Sequence, residues 1–185
     1  MEAHRHSTWK LPENVLDAEG YIIDQGRMGE IPFGWFSTRE KGCGWIAAYN
    51  LLKMNGLEEP PEQVLQEVQR FGFPGKMFGQ EVVWLLVYLQ HKGFRVHLSR
   101  PGYRGCEDIL DRYPTGILMY LHRKGAHYAA YHAVDAKTVH LYNAIYQKRN
   151  HIVPIRTFLE DHTVLHGCII IGCRPRVAVL PRGDH

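Results

Sequence analysis

The sequence predicts an α+β domain in which a helical half comes first and an antiparallel sheet follows. Two observations carry that reading. Helical periodicity is concentrated in residues 44–92, and strand-length apolar runs occupy most of residues 94–173. The two kinds of segment are segregated, whereas a doubly wound parallel sheet would alternate them. A third observation sets the scale: 185 residues, 45% hydrophobic and 22% charged, suit one domain with one real core and exclude disordered, collagen-like or coiled-coil chains.

Each element has its own signature. The first 34 residues, rich in Gly, Pro and charge with one strand-like piece at 21–23, read as a wrapping arm. Residues 44–55 are apolar on every side except at Asn50 and Lys53 and end at Asn55-Gly56, so they read as a buried helix with a left-handed cap. Pro60-Pro61-Glu62 opens a second helix that presents Val64, Leu65, Val68 and Phe71 on one face and stops at Gly72. A third spans 79–92. Phe94, Val96 and Leu98 then alternate with polar residues as in a half-buried strand. A short helix is expected at 107–112, strands at 115–121, 127–134, 138–142, 151–155 and 167–173, a helical turn at 156–161, and a tail over 174–185.

Composition narrows the function classes. A net charge of +3 with scattered basic residues lacks the stripe that phosphate-backbone binding needs, so no nucleic-acid partner is expected. No apolar run reaches transmembrane length, and the N-terminus MEAHRHSTWK has no secretory pattern; the expectation is a soluble, cytoplasmic protein without a membrane partner. Four cysteines are too sparse for a disulfide framework. Cys168 and Cys173, five apart in one apolar run, should face opposite sides of a strand as unpaired thiols, and Cys106 also reads as a buried thiol. The pairs His4/His6 and His162/His166 lack a third ligand, so neither a metal nor a cofactor is expected. Phosphate-loop and serine-hydrolase signatures are absent.

Cys43 remains. It lies between two glycines at the start of the buried helix, where the helix dipole and unpaired N–H groups favour a thiolate. A cysteine nucleophile needs a histidine base, and the base needs a group that fixes its tautomer. The segment GAHYAAYHAVDAKTVHLYNAI offers both: were Asp135 the centre of a hairpin turn with an odd loop, His127 and Asn143 would stand directly opposite each other.

The order Cys, His, Asn, carried by Gly42-Cys43-Gly44-Trp45 with Ala47-Ala48, by Gly125-Ala126-His127-Tyr128 and by Tyr142-Asn143-Ala144, resembles the papain-like cysteine peptidases. The bacterial branch that trims bacteriocin leader peptides is the nearer likeness, over about residues 35–173. The resemblance implies that Cys43 attacks an acyl carbon, His127 carries the proton and Asn143 orients His127. It also implies an oxyanion site built on the Cys43 N–H. Two departures stand out. The family's oxyanion Gln, six residues before the nucleophile, is here Ser37, which leaves the Ser37 and Thr38 hydroxyls as candidate donors, and the branch's usual Asp-Pro is Asn143-Ala144. Three functions remain open at this point: hydrolysis of peptide or amide bonds in a peptide or protein substrate, binding of a peptide or partner without chemistry, and acyl transfer with the same triad.

Overall fold

A computed structural model describes residues 9–71, 82–144 and 150–176. The buried helix opens one residue earlier than its periodicity requires, because Cys43 itself takes the first helical position. This helix α2 (Cys43–Met54) follows a single-turn helix α1 (Thr38–Lys41) and a two-stranded hairpin, β1 (Pro32–Phe33) with β2 (Phe36–Ser37). Gly56, at φ +73°, ends α2 in the left-handed conformation anticipated for the Asn55-Gly56 pair, with the Gly56 N–H on the Lys53 carbonyl. Helices α3 (Pro61–Phe71) and α4 (Val82–His91) complete the first half. The expected stop of α3 at Gly72 and start of α4 at 79 lie outside the described residues.

The sheet has six strands in the order β3-β8-β4-β5-β6-β7, and every neighbouring pair is antiparallel. They are β3 (Phe94–Leu98), β4 (Thr115–His122), β5 (Gly125–Ala133), β6 (Thr138–Tyr142), β7 (Asn150–Pro154) and β8 (Cys168–Pro175). Helix α5 (Tyr103–Glu107) precedes β4, and α6 (Ile155–His162) precedes β8. The short helix thus sits four residues before its expected place, released by Gly102 at φ +91°. Strand β8 runs to Pro175, pairing Arg174 with Arg95, so the first residues assigned to the tail belong to the sheet. The strand-like piece at 21–23 is reduced to one bridge between Leu16 and Ile22.

Both faces of the sheet are covered. Alternate residues of β4 and β5 divide between two cores: Ile117 and Tyr128 join α2, α3 and α4, whereas Leu118, Tyr120, Ala129 and Tyr131 join α5 and α6. Two-sided burial is why TGILMYLH reads as a continuous apolar run instead of an alternating one. Cys168 falls in the second core and Cys173 in the first, on opposite faces of β8, and all four cysteines are free thiols. The thiols of Cys106 and Cys168 hydrogen-bond to each other.

The arm is anchored through α2. Asn50, fully buried, accepts the Ile22 N–H at 2.9 Å and donates to the Ile22 carbonyl at 2.8 Å, satisfying both backbone groups where water cannot. Tyr49 adds a bond from its hydroxyl to the Gly20 carbonyl. An Asn50→Ala variant strands two buried backbone groups and should lose about 2–4 kcal/mol of stability. Urea unfolding monitored by tryptophan fluorescence tests this, and an unchanged midpoint would contradict the anchoring role.

Candidate functional site

The nucleophile's position follows from two local causes. Gly42 caps α2 at φ −80°, an ordinary angle, so backbone freedom is not its reason for being glycine. A Cβ there would stand 2.5 Å from the Thr38 methyl and 2.9 Å from the Trp45 indole nitrogen, so only glycine lets α1 turn this closely into α2. The second cause is the end of the β5–β6 ladder. That ladder stops at Ala130↔Tyr142, while the Tyr128 N–H, two positions further and directed to the same side, points at the Cys43 thiol. Cys43 is half-buried, and its sulfur is met by the backbone N–H groups of Tyr128, Gly44 and Cys43 itself.

The hairpin after His127 differs from expectation by one residue. Val134 pairs with Thr138 across the three-residue loop 135–137, which is the odd loop required, but its centre is Ala136. Asp135 instead accepts the Lys137 and Thr138 N–H groups with its carboxylate. Asn143, one residue past the end of the ladder, therefore stands diagonal to His127 and not directly opposite it. Its carboxamide is taken up by Gln25, and the connection to His127 is made by backbone. Asn143 leaves β6 at φ +61°, a left-handed conformation that Asn tolerates better than most residues, and its carbonyl oxygen lies 2.7 Å from His127 Nε2. A carbonyl only accepts, so the neutral ring carries its proton on Nε2 and leaves the Nδ1 lone pair as the base.

Sequence reasoning missed Gln25. From a 3-10 turn in the arm (Gln25–Arg27), its backbone N–H donates to Asn143 Oδ1 at 2.9 Å, its Oε1 receives Asn143 Nδ2 at 3.5 Å, and its Nε2 donates to the Arg39 carbonyl at 3.1 Å. No motif marks it. Its contact with Asn143 spans 118 positions, and only the fold brings the two together.

The candidate oxyanion donors are engaged elsewhere. The Ser37 hydroxyl donates to Glu40 Oε2, which also accepts the Ser37 backbone N–H in the capping box of α1, so the hydroxyl's one proton is committed. Thr38 is fully buried and accepts the Trp45 indole N–H.

Electrostatics also differ from expectation. Burial pushes the Cys43 thiol above its ordinary range, outweighing the three N–H groups and the nearby Lys41 charge that oppose it. His127 is pushed down to about 4, chiefly by burial and slightly by His122, against the Asn143 carbonyl that stabilises its cation. At neutral pH Cys43 is thus a neutral thiol and His127 a neutral imidazole, not the thiolate that the helix start alone implied. The second core closes around the His127 ring, with Tyr120 at 5.5 Å and His122 at 6.4 Å between ring centroids. Among the described residues no group of three His, Cys, Asp or Glu gathers as metal ligands, and no helix is long and apolar enough to cross a membrane.

Arranged this way, a helix-borne cysteine meets the strand that carries a buried histidine, and the mixture of helices and antiparallel sheet matches that of solved peptidase domains. The peptidase domain of Streptococcus ComA, a bifunctional ABC transporter involved in a quorum-sensing pathway, superposes with a TM-score of 0.50 at 10% identity, covering 72% of this chain and 92% of that one. The chain has the papain-like peptidase fold. A double-glycine-motif protease from an AMS/PCAT transporter, solved with its leader peptide, aligns at 16% identity and a TM-score of 0.46, over 71% of this chain and 84% of its own. No protein-family model and no curated protein matches the chain.

Within this papain-like fold the buried histidine has a pH signature. Between about pH 4 and 6.5 the native state binds fewer protons at His127 than the unfolded chain does, so its contribution is complete above pH 6.5 and lost as pH falls through the window, by roughly 3 kcal/mol. Denaturant midpoints measured across that window should fall more steeply for the wild type than for His127→Asn; parallel curves would count against the burial of a neutral ring. The neutral pair also predicts that Cys43 alkylation by iodoacetamide keeps rising into the alkaline range. A rate plateau reached below pH 6 would instead reveal a preformed ion pair.

Proposed function

We propose that this chain is a thiol-dependent hydrolase of peptide or amide bonds, with Cys43 as nucleophile, His127 as general base and acid, and Asn143 as the residue that orients His127. The observation that carries the reading is the bond from His127 Nε2 to the Asn143 carbonyl, which leaves Nδ1 as the proton acceptor in a ring one residue from the backbone N–H that meets the Cys43 thiol. A buried histidine held in one tautomer, on the strand whose next backbone N–H meets a cysteine at a helix start, suits acyl chemistry.

The steps balance as follows. The Cys43 thiol gives its proton to His127 Nδ1 while sulfur bonds to the substrate carbonyl carbon, and the carbonyl electron pair moves to oxygen. The tetrahedral intermediate collapses, the C–N bond breaks, and the leaving amine takes the proton from His127, leaving a thioester on Cys43. Water then attacks, giving a proton to His127. The C–S bond breaks and the proton returns to sulfur. The imidazolium formed in each half is stabilised by the Asn143 carbonyl dipole. Donors for the oxyanion are the Cys43 and Gly44 backbone N–H groups at the start of α2, which meet the thiol sulfur before substrate binds. Ser37 and Thr38 shape the turn that presents Cys43.

Starting from a neutral pair, the reaction must create charge as sulfur attacks. That makes the geometry of His127 a larger part of the barrier than in an enzyme with a preformed thiolate. The structural neighbours supply the first substrate to try: a peptide ending its leader in two glycines, as the double-glycine protease takes.

Hydrolysis of such leader peptides and of a general peptide library, followed by mass spectrometry, tests the proposal. Cys43→Ala and His127→Ala should each reduce turnover by about 1,000-fold or more. Undiminished turnover in Cys43→Ala would remove the nucleophile, whereas peptide binding without turnover in the wild type would favour the non-catalytic reading. Product formed only with an added amine acceptor would identify an acyltransferase.

A further inference from the structure

We propose that Gln25 is a positioning residue of this site: it clamps the Asn143 carboxamide so that the Asn143 carbonyl stays aimed at His127 Nε2, and it ties that strand end to the turn that carries Cys43. This rests on the catalytic reading of Cys43 and His127 and adds the N-terminal arm to the machinery.

The geometry is a chain of four bonds. Asn143 accepts from the Gln25 backbone N–H and donates to the Gln25 side-chain oxygen, so both ends of its carboxamide are held by one residue. With the side chain fixed, the left-handed backbone at Asn143 is fixed too, and its carbonyl meets His127 at 2.7 Å. The far end of Gln25 donates to the Arg39 carbonyl in α1, four residues before Cys43. Gln25 therefore bridges the two halves of the site, the helix start that bears the nucleophile and the strand end that orients the base. Gln25 and Asn143 are both buried, at 9% and 2% exposure, so water is a poor substitute for either partner. The side chain of Asn143 would be the direct histidine partner in a ladder of the register first expected; here it holds the arm, and the backbone takes over the orienting role.

Two physical consequences follow. Releasing the clamp frees Asn143 to leave its left-handed conformation, and the His127 cation formed during catalysis then loses its one described acceptor. The base loses its tautomeric bias as well, since the Nε2–H bond is what keeps Nδ1 unprotonated.

The experiment compares iodoacetamide alkylation of Cys43, followed by peptide mapping, for the full-length wild type, Gln25→Ala, Asn143→Gly, their double variant and His127→Ala. Asn143→Gly keeps both the backbone carbonyl and the left-handed angle while deleting the carboxamide. Near pH 7, where His127 must accept the proton, Gln25→Ala should slow labelling by about 10- to 100-fold, and Asn143→Gly should do the same with no additive loss in the double variant. Near pH 10, where the thiolate forms without help, all rates should converge. Nitrogen-15 spectra of the histidines should show the His127 Nε2–H form in the wild type and a tautomer mixture in Gln25→Ala. A Gln25→Ala profile superimposable on the wild type, or losses that add in the double variant, would overturn the clamp. If His127→Ala also labels like the wild type near pH 7, the catalytic reading has failed; if only His127→Ala is slow, the clamp alone has failed. A variant that unfolds is recognised by circular dichroism, and the tautomer spectrum of the folded Gln25→Glu protein then decides. Glu keeps the acceptor for Asn143 Nδ2, so that spectrum should retain the Nε2–H form, and a tautomer mixture there would overturn the clamp.

Discussion

The site depends on where β6 lets go of β5. The left-handed turn of Asn143 ends the ladder at Ala130↔Tyr142, and that single backbone event has two effects. It leaves room at the strand edge for the start of α2, so that the Tyr128 N–H meets a thiol, and it swings a carbonyl onto His127. A strand that continued in register would fill the edge with its own backbone and take the Tyr128 N–H that Cys43 now meets. The two cores on either side of the sheet hold the remaining geometry rigid, one carrying α2 and the other enclosing the imidazole.

Burial governs the electrostatics of the arrangement more than the helix dipole does. The dipole and three N–H groups favour a thiolate at Cys43, yet desolvation raises the thiol, and burial in the second core lowers His127. Both shifts favour the neutral pair. In the proposed reaction, a bound peptide that brings its own carbonyl to the N–H groups at the start of α2 changes that balance only when charge develops on it, which confines the strongest stabilisation to the reacting complex. Such a resting thiol is also less exposed to chance oxidation than a standing thiolate.

Much of this was legible in the residues. Segregated periodicities gave the helical and sheet halves, the Asn55-Gly56 cap and the continuous run of β4 were readable locally, and the Cys43, His127 and Asn143 order pointed to the papain-like fold. Other features were not legible for identifiable reasons. The hairpin register turned on whether Asp135 or Ala136 centres the loop, a choice made by the Asp135 carboxylate capturing two N–H groups. The sign of the Cys43 shift required knowing how completely the fold encloses it. Ser37 resembles a substituted oxyanion residue in the sequence, but Glu40 three positions later claims its hydroxyl, a capping-box spacing that was visible yet outweighed by the family pattern. Gln25 carried no local signal at all, because its partners are Arg39 and a residue near the other end of the domain.

The bond between Gln25 and Asn143 also bears on the order in which the protein is made. Closing a loop of 118 positions demands that nearly the whole domain has left the ribosome before the arm finds its place, and long-range contacts of this kind form late in folding. The cysteine, the helix that bears it and the arm are all synthesised early, but the histidine and its orienting carbonyl arrive afterward. The Gln25–Asn143 contact therefore closes late, joining a segment made before Cys43 to a strand end made after His127.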